Sequence, residues 1–577
     1  MIKACKNSTT PQLVLKNNSS RTEIKGSIDI VCVLVNHFSD EYRLKLKIVL
    51  VLVSLFIWGS AQSQEPTFYM NFDEHAFEEQ IVSKNDAVYM VDLQQSQFAE
   101  GLTGKALDLS ANAALRRPIK IDKEQMSDYG EKSSFSVQIW LKTLPKAPMG
   151  TPIIGNKVVE DLPGTGWQIY SKENGAWALV LNDGKNRYDY EPTAERQKIN
   201  DGLWHQILFT VDRSKGEVWI YFDGRNVAIY NTSDLKNLKS DYSTVIGGSD
   251  EKWEYGSNAQ WNAFNGYLDE IKVWNMAINS ATVHKLYSQF NTGTKNSQVP
   301  FHSPHIKVLT WNIWHGGHRY GQEVGLQRVI ETIKSTNADL IGLIETYGSG
   351  EEIADALGYY FYLISSNLSV MSRYPITETI KKFKPFNFGG VKLNTGRSKE
   401  LVFFDTWLHY LPDYSNSIIK ENKTPKALIA DEEGTRHGEI KEILKNITQY
   451  LKNSDETPVI MVGDFNMGSH LDWTRDTKDI HYGKIVEWPE SKAMAQAGFK
   501  DSYRELHINP LLDPGFTWTP RAATSSDKYG LRDRIDYIYY MGKGLNPIES
   551  KVIDYHPIMF PSDHAAVLTV LTVFQIK

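Results

Sequence analysis

The run Val459-Ile460-Met461-Val462 ends in Gly463-Asp464-Phe465-Asn466. A short apolar run of this kind reads as a buried strand, and here it delivers a carboxylate and an amide to one edge. Arg534-Ile535-Asp536-Tyr537 and Ser562-Asp563-His564 follow. Three more polar residues end apolar runs: Asn312 after Thr310-Trp311, Glu345 after residues 340–344, and His409 after Thr406-Trp407-Leu408. This inventory matches what cleavage of a phosphate ester requires. A hard divalent cation takes oxygen ligands, which Asn312, Glu345 and Asp563 offer. Such a cation draws charge off the phosphate and stabilises the leaving oxygen. A base must take a proton from water, and His564 can do so if Asp563 or Asp536 orients its ring. Donors must reach the phosphoryl oxygens, and His409 and the Asn466 amide are suited. Singly, each has a plainer reading: Asn312 a turn residue, Glu345 a surface strand end, His409 a structural histidine. The joint pattern carries the chemistry.

Strands must bring these residues to a common edge. Residues 306–311, 339–344, 401–408, 458–462, 534–540 and 567–574 read as strands. Leu326, Val329, Ile330 and Ile333 mark one helix face, and Ile440, Ile443, Leu444, Ile447 and Leu451 mark a long amphipathic helix over 435–452. Strands mixed with helices predict an α/β or α+β layered domain over 306–577. Arg436 and His437 open the long helix; such positions are mostly solvated, and Arg436 is a candidate to touch substrate. Trp314 precedes His315-Gly316-Gly317-His318, whose glycines would let backbone amides approach a phosphate; His315 is a second candidate substrate contact. Residues 410–433 read as a long polar loop on the substrate side.

Residues 65–290 have another texture. Short alternating runs at 135–141, 205–211 and 218–222 are separated by turns, the last ending in the hairpin pair Asp223-Gly224. Helical periodicity is nearly absent before 280–290, which predicts an all-β sandwich. Residues 291–305 are polar and turn-rich, as an interdomain linker would be.

A chain of 577 residues is too long for one core. Its net charge of −6 argues against an affinity resting on nucleic-acid phosphates, and duplex DNA is the less favoured partner. The two cysteines, Cys5 and Cys32, both precede a basic stretch at 43–47, an apolar run at 48–58 and Ala61-Gln62-Ser63. That order is the pattern of a secretory signal cleaved near Ser63. The apolar run is about half the ~20 residues a spanning helix needs. Residues 1–63 are therefore expected to be a leader. The mature chain would be secreted or periplasmic, without a membrane span, disulfide or thiolate metal site. The acidic residues within 1–42 suit a signal poorly, and a translation start near Leu44 or Leu46 would account for them.

The C-terminal stretches resemble, in order, those of the endonuclease/exonuclease/phosphatase superfamily of DNase-I-like hydrolases. They are Thr310-Trp311-Asn312, Ile344-Glu345, residues 368–376, Leu408-His409, Gly463-Asp464-Phe465-Asn466, Phe516-Thr517-Trp518, Arg534-Ile535-Asp536-Tyr537 and Ser562-Asp563-His564. The resemblance implies a four-layer sandwich of two sheets flanked by helices, and hydrolysis of a phosphoester with Mg²⁺ or Mn²⁺. It implies metal binding by Asn312 and Glu345, with Asp563-His564 as the closing Asp-His pair. It implies a phosphate or leaving-group contact for His409, orientation of water and phosphate by Asp464 and Asn466, and a partner carboxylate in Asp536. Either Asp464 or His564 would be the base. Two departures stand out: Ile344 precedes Glu345 where the family usually has Gln, and Trp314 stands where nuclease members often have Asp.

Residues 104–109, 135–141, 204–207, 218–224, 246–248 and 264–275 resemble laminin-G-like, concanavalin A-like jelly rolls. The resemblance implies a binding module for glycan, with Ca²⁺ near Asp73 and Asp269; a structural spacer is the alternative. The Glu-x-Asp-x-x-Glu strand of glycoside hydrolases on such sandwiches is missing. The expectation is a secreted, monomeric, metal-dependent phosphodiesterase or phosphatase acting on a phosphorylated glycan. The alternatives are an extracellular nuclease, a sphingomyelinase-like phospholipase, or a non-catalytic adhesion protein with a degenerate hydrolase domain.

Overall fold

The computed structural model describes residues 65–73, 98–110, 118–121, 132–157, 164–249, 263–290, 303–396, 400–518 and 531–573. The expected leader over 1–63 and most of the expected linker lie outside these. Among the described residues no helix is long and apolar enough to cross a membrane.

The N-terminal region is a two-sheet sandwich. One sheet carries the long strands Phe135–Lys142, Trp204–Asp212, Glu217–Phe222, Arg225–Asn231 and Tyr267–Trp274; the other runs through Gly166–Ser171 and Trp177–Asn182. Indoles fill the space between them, with Trp167 edge-on to Phe209 at 5.3 Å and Trp177 stacked on Phe222 at 6.4 Å. Asp223 (φ 48°) and Gly224 (φ 73°) make the tight turn with both residues left-handed, as a two-residue hairpin requires.

The C-terminal domain has the expected four layers. Its first sheet joins Tyr360–Leu363, Leu368–Ser372, Leu340–Ile344, His305–Asn312, Ala566–Val573 and Leu545–Ile553; its second centres on Glu400–Trp407, Val459–Asp464 and Asp536–Met541. Val308, Leu340, Val370, Phe403, Ile460, Val462 and Ile538 pack between the sheets. Gly342 is needed there, because a Cβ on it would stand 2.4 Å from Val462 Cγ2. Helix Gln322–Thr336 covers one outer face through Leu326, Val329, Ile330 and Ile333. Helix Arg436–Asn446 covers the other through Ile440 and Ile443.

Two expectations change here. The long helix breaks at Ile447 (φ −98°, ψ 5°) into Arg436–Asn446 and Thr448–Lys452. The segment read as a polar loop forms two helices, Tyr414–Ile419 and Pro425–Glu432. Its apolar residues Tyr414, Ile418 and Leu428 pack with Trp473 and Trp488 in a small core of their own.

The sandwich and the C-terminal domain also share a sheet. Arg225–Asn231 pairs in parallel with Tyr360–Leu363, through Ile229 opposite Tyr362 and Tyr230 opposite Leu363. Asn231 Nδ2 donates to Ile364 O at 2.9 Å, and Arg225 donates to Gly358 O at 2.6 Å. Lys381 lies 3.2 Å from buried Glu217 across the same junction.

Candidate active site

Register decides how the acidic groups meet. Val459–Asp464 pairs antiparallel with Asp536–Met541 so that Asp464 stands directly opposite Asp536. Directly opposed residues place their Cβ atoms about 4.5–5.5 Å apart, and like charges there repel. Gly463, at φ 141°, lets the strand end bend inward; a Cβ there would sit 1.9 Å from Thr406 O. Burial and the charge of Asp536 push the Asp464 carboxyl up to about 7.

His564 enters beside this pair, just ahead of Ala566–Val573. Its Nδ1 is 2.9 Å from Asp536 Oδ2, and its Nε2 is 4.0 Å from Asp464 Oδ2. Burial disfavours the imidazolium, but the charges of Asp536 and Asp464 outweigh it and hold the ring protonated up to about 10. The backbone around the dyad is tied down. Thr517 Oγ1 accepts from the N–H groups of Ile535 and Asp536 at 3.0 and 3.1 Å. Trp311 Nε1 donates to His564 O at 2.8 Å, and Ser562 Oγ donates to Asn312 O at 2.6 Å.

Asn312 links the two sheets. Its Nδ2 donates to Asp464 Oδ2 at 3.1 Å and to Glu345 Oε1 at 3.2 Å, while its Oδ1 accepts from Trp314 N at 3.0 Å. Glu345 sits at φ 59°, a left-handed conformation that a non-glycine residue holds only under constraint. The constraint is Asn367, whose Oδ1 accepts from Glu345 N at 3.1 Å. Asn466 donates through Nδ2 to Leu408 O at 2.9 Å, and its own N–H goes to Asp464 Oδ1 at 2.8 Å. A cleft of about 580 Å³ opens on Asn312, Glu345, His409, Asp464, Asn466 and His564, with Tyr347, Phe386, Trp407 and Tyr410 as aromatic walls.

Among the described residues, one cluster of carboxylates and histidine could hold a cation. Atoms of Asp464, Asp536 and His564 lie within 4.8 Å of one another. His564 Nδ1 and Asp536 Oδ2 are already hydrogen-bonded there at 2.9 Å, so metal binding would cost that bond. Asp563 presents a buried Oδ1 with no hydrogen-bond partner. Burial raises its carboxyl, and the charge of Glu345 adds to the rise. A divalent ion beside it would answer both effects, and would likewise answer Asp536 Oδ1, which is also buried without a hydrogen-bond partner.

Other sequence candidates are placed differently. Arg436, expected at the surface, is fully buried. Its Nε is 2.6 Å from Glu432 Oε2, and it donates to His409 O at 3.0 Å and Pro412 O at 2.8 Å. It holds the backbone of His409 and does not face the cleft. The amides of Gly316 and Gly317 are spent on Glu345 O at 2.7 Å and Trp314 O at 3.1 Å, which leaves them no phosphate to bind. His315 stays exposed near the cleft, its ring 6.0 Å from that of Tyr347 and its N–H donated to Glu345 Oε2 at 2.9 Å.

In the sandwich, Asp73 Oδ1 accepts from Lys105 N at 2.8 Å and Asp269 Oδ2 from Leu102 N at 2.9 Å. Both carboxylates clasp this turn, and burial pushes Asp269 up to about 8. Amide donors thus take up the oxygens expected to meet calcium.

Sequence reasoning assigned no role to Thr517, Ser562 or Asn367. Thr517 and Ser562 lie inside quoted motifs; Asn367 carries no local signal, since its task depends on a contact 22 residues away.

Residues 309–564 match the endonuclease/exonuclease/phosphatase family, and residues 119–284 match the concanavalin A-like lectin/glucanases superfamily. An uncharacterised protein of Caenorhabditis elegans, F14F9.5, is 28% identical over 252 residues, which is 41% of this chain and 79% of that protein. The non-toxic nonhemagglutinin type E of Clostridium botulinum is 26% identical over 178 residues, covering 30% of this chain and 13% of its own length. Among solved structures, truncated TDP2 of C. elegans aligns at TM-score 0.33 with 16% identity, over 47% of this chain and 98% of that one. An AP endonuclease from Archaeoglobus fulgidus aligns at TM-score 0.34 with 15% identity, over 46% and 100%.

Proposed function

We propose, for a phosphoester hydrolase that belongs through residues 309–564 to the endonuclease/exonuclease/phosphatase family and carries a concanavalin A-like region before it, that it is a secreted metal-dependent phosphodiesterase acting on a phosphorylated glycan. The observation that carries the reading is the His564–Asp536 dyad at 2.9 Å, facing Asp464 and Asn312 in one cleft. Asn312, Glu345 and Asp563 are the residues that would hold Mg²⁺ or Mn²⁺, which supplies positive charge to the phosphate and the leaving oxygen. His564, kept cationic between two carboxylates, donates to a phosphoryl oxygen. Asp464 takes the proton of the attacking water, and Asn466 orients that water through the geometry it shares with Asp464. His409, its backbone fixed by Arg436, contacts the phosphate from the opposite wall.

Hydrolysis of bis-p-nitrophenyl phosphate with Mg²⁺ or Mn²⁺ tests this. Wild type should exceed His564→Ala by at least about 10²-fold, and equal rates would remove the enzyme reading. The basic, apolar and small-residue order at 43–63 supports secretion; a mature protein beginning inside 1–60 would refute cleavage near Ser63.

A second reading rests on the aromatic walls Tyr347, Phe386, Trp407 and Tyr410. Nucleobases stack on such rings, so single-stranded nucleic acid is the competing substrate. The net charge of −6 weighs against it.

A further inference from the structure

A groove of about 850 Å³ runs between the sandwich and the hydrolase. The sandwich turn around Lys185–Asp189 forms one wall; Gly348, Glu352, Ser365, Ser366 and Pro385 form the other. The groove begins where the catalytic cleft ends. Tyr347 and Phe386 line the cleft, and their chain neighbours Gly348 and Pro385 line the groove. One short segment serves both. Ser366 lines the groove, and its carbonyl accepts from Tyr347 N at 2.7 Å. The next residue, Asn367, holds Glu345 N at 3.1 Å and donates to Phe386 O at 2.9 Å. The walls keep their spacing because the strand pair 229–230 with 362–363 joins the two domains in one sheet.

The lining chemistry selects an occupant. Among the described residues that line it, Lys185 and Arg187 are the cations, against five carboxyls, so the groove offers no cationic surplus to hold a polyanion such as nucleic acid. Most of the carboxyls are already engaged. Asp189 pairs with Arg187 at 2.8 Å, Glu191 with Lys172 at 2.9 Å, and Asp234 accepts from the Tyr188 hydroxyl. A small cation would therefore find few carboxylate oxygens free to ligate it together. What remains is a wall of acceptors, amides and hydroxyls around the partly buried Tyr188 ring, in a space near the top of the roughly 300–1,000 Å³ range of ligand clefts. Sugar hydroxyls donate to such acceptors, and a pyranose face packs on such a ring.

We infer that this groove is a subsite for the neutral oligosaccharide portion of the substrate, which passes over the Tyr347–Gly348 and Pro385–Phe386 ridge from the catalytic cleft. The inference rests on the phosphodiesterase reading above and names where its glycan lies. The sandwich acts here as a wall of the active-site region.

Competing p-nitrophenyl phosphodiesters test it, all releasing the same leaving group. The second alcohol is methanol, choline, a thymidine dinucleotide, or a trisaccharide of glucose, mannose or N-acetylglucosamine. At least one trisaccharide diester should exceed the methyl diester at least 10-fold in kcat/KM. That ratio should fall at least 10-fold in Ser366→Trp and in Lys185→Trp, which fill the groove from opposite walls at exposed positions. Three trisaccharide ratios near one would overturn the inference. So would a trisaccharide advantage that survives both variants, or a choline or dinucleotide advantage that the variants abolish. If wild type hydrolyses none of the diesters above His564→Ala, the phosphodiesterase reading fails by itself. The groove is then judged by saturation-transfer NMR with the three methyl trisaccharides: transfer lost in Ser366→Trp supports it, and no transfer to wild type overturns it.

Discussion

Two buried His–Asp pairs of nearly equal geometry stand in the two domains. In the sandwich, His205 Nδ1 lies 2.9 Å from Asp223 Oδ2; in the hydrolase, His564 Nδ1 lies 2.9 Å from Asp536 Oδ2. Both rings are held protonated above the ordinary histidine range, to about 9 and about 10. In both, burial works against the charge and neighbouring carboxylates overcome it. The difference is the second nitrogen. His205 Nε2 is 3.1 Å from Asp201, and the ring stacks on Phe222. His564 Nε2 stands 4.0 Å from Asp464 on the cleft wall. A closed pair fastens the hairpin turn at Asp223 to its neighbouring strand. An open one can pass a proton to a ligand.

The largest expected effect separates the two by function. His564→Ala should lower turnover of bis-p-nitrophenyl phosphate by about 10²–10⁴-fold per folded molecule, and it should also cost stability, because buried Asp536 and Asp464 lose their counter-charge. His205→Ala should act on stability alone, costing about 3–5 kcal/mol of unfolding free energy because Asp223 loses its counter-charge in a buried position. Turnover per folded molecule should hold. Parallel denaturant melts and kinetics read both, and an activity loss in His205→Ala at full folding would erase the distinction. A smaller effect is expected from the orienting carboxylates. Asp536→Asn should cost about 10²-fold in kcat, since the amide holds the ring without favouring its charge; Asp223→Asn should cost only about 1–3 kcal/mol of stability. A third variant probes the backbone of the open pair. Thr517→Val removes the acceptor for two buried N–H groups, and should cost about 1–3 kcal/mol in the melt with a less than 10-fold change in kcat.

Sequence reading reached what periodicity and short motifs encode. Val459–Asp464 is buried at every position, and its apolar run announced that. His205 and Asp223 both lay in stretches quoted for the jelly-roll resemblance, but nothing local said that they meet. Arg436 shows the limit in another form. Its partner Glu432 is four residues back, an ordinary helical ion-pair spacing. The carbonyls of His409 and Pro412 and the Glu490 side chain meet that pair in the interior, and those contacts are long-range. Gly316 (φ 70°) and Gly317 (φ 76°) are permissive backbone, yet they spend on the chain itself the amides expected to approach a phosphate. The pairing of Ile229 and Tyr230 with Tyr362 and Leu363 spans two domains and two registered residue pairs, too few to leave a pattern. It makes one continuous sheet of the sandwich and the C-terminal domain.

The smallest expected effect is a pH dependence confined to the closed pair. The sign follows from the folded ring binding its proton more tightly than the unfolded one. With the folded His205 pKa at about 9, against 6.5 unfolded, its contribution is fully present below pH 6.5 and lost as pH rises through about 9. Asp201 supplies part of it, through the 3.1 Å contact that leaves its own carboxyl below the usual range. Asp201 is partly solvated, so screening reduces the effect to about 1 kcal/mol. Wild type and Asp201→Asn should therefore differ by that amount in urea unfolding at pH 6, and by almost nothing at pH 10. His564 titrates identically in both proteins and cancels from the difference. A gap that persists unchanged to pH 10 would mean that Asp201 acts through its hydrogen bond to Leu203 N and not through the ring. The likeness between the two pairs would then stop at Nδ1.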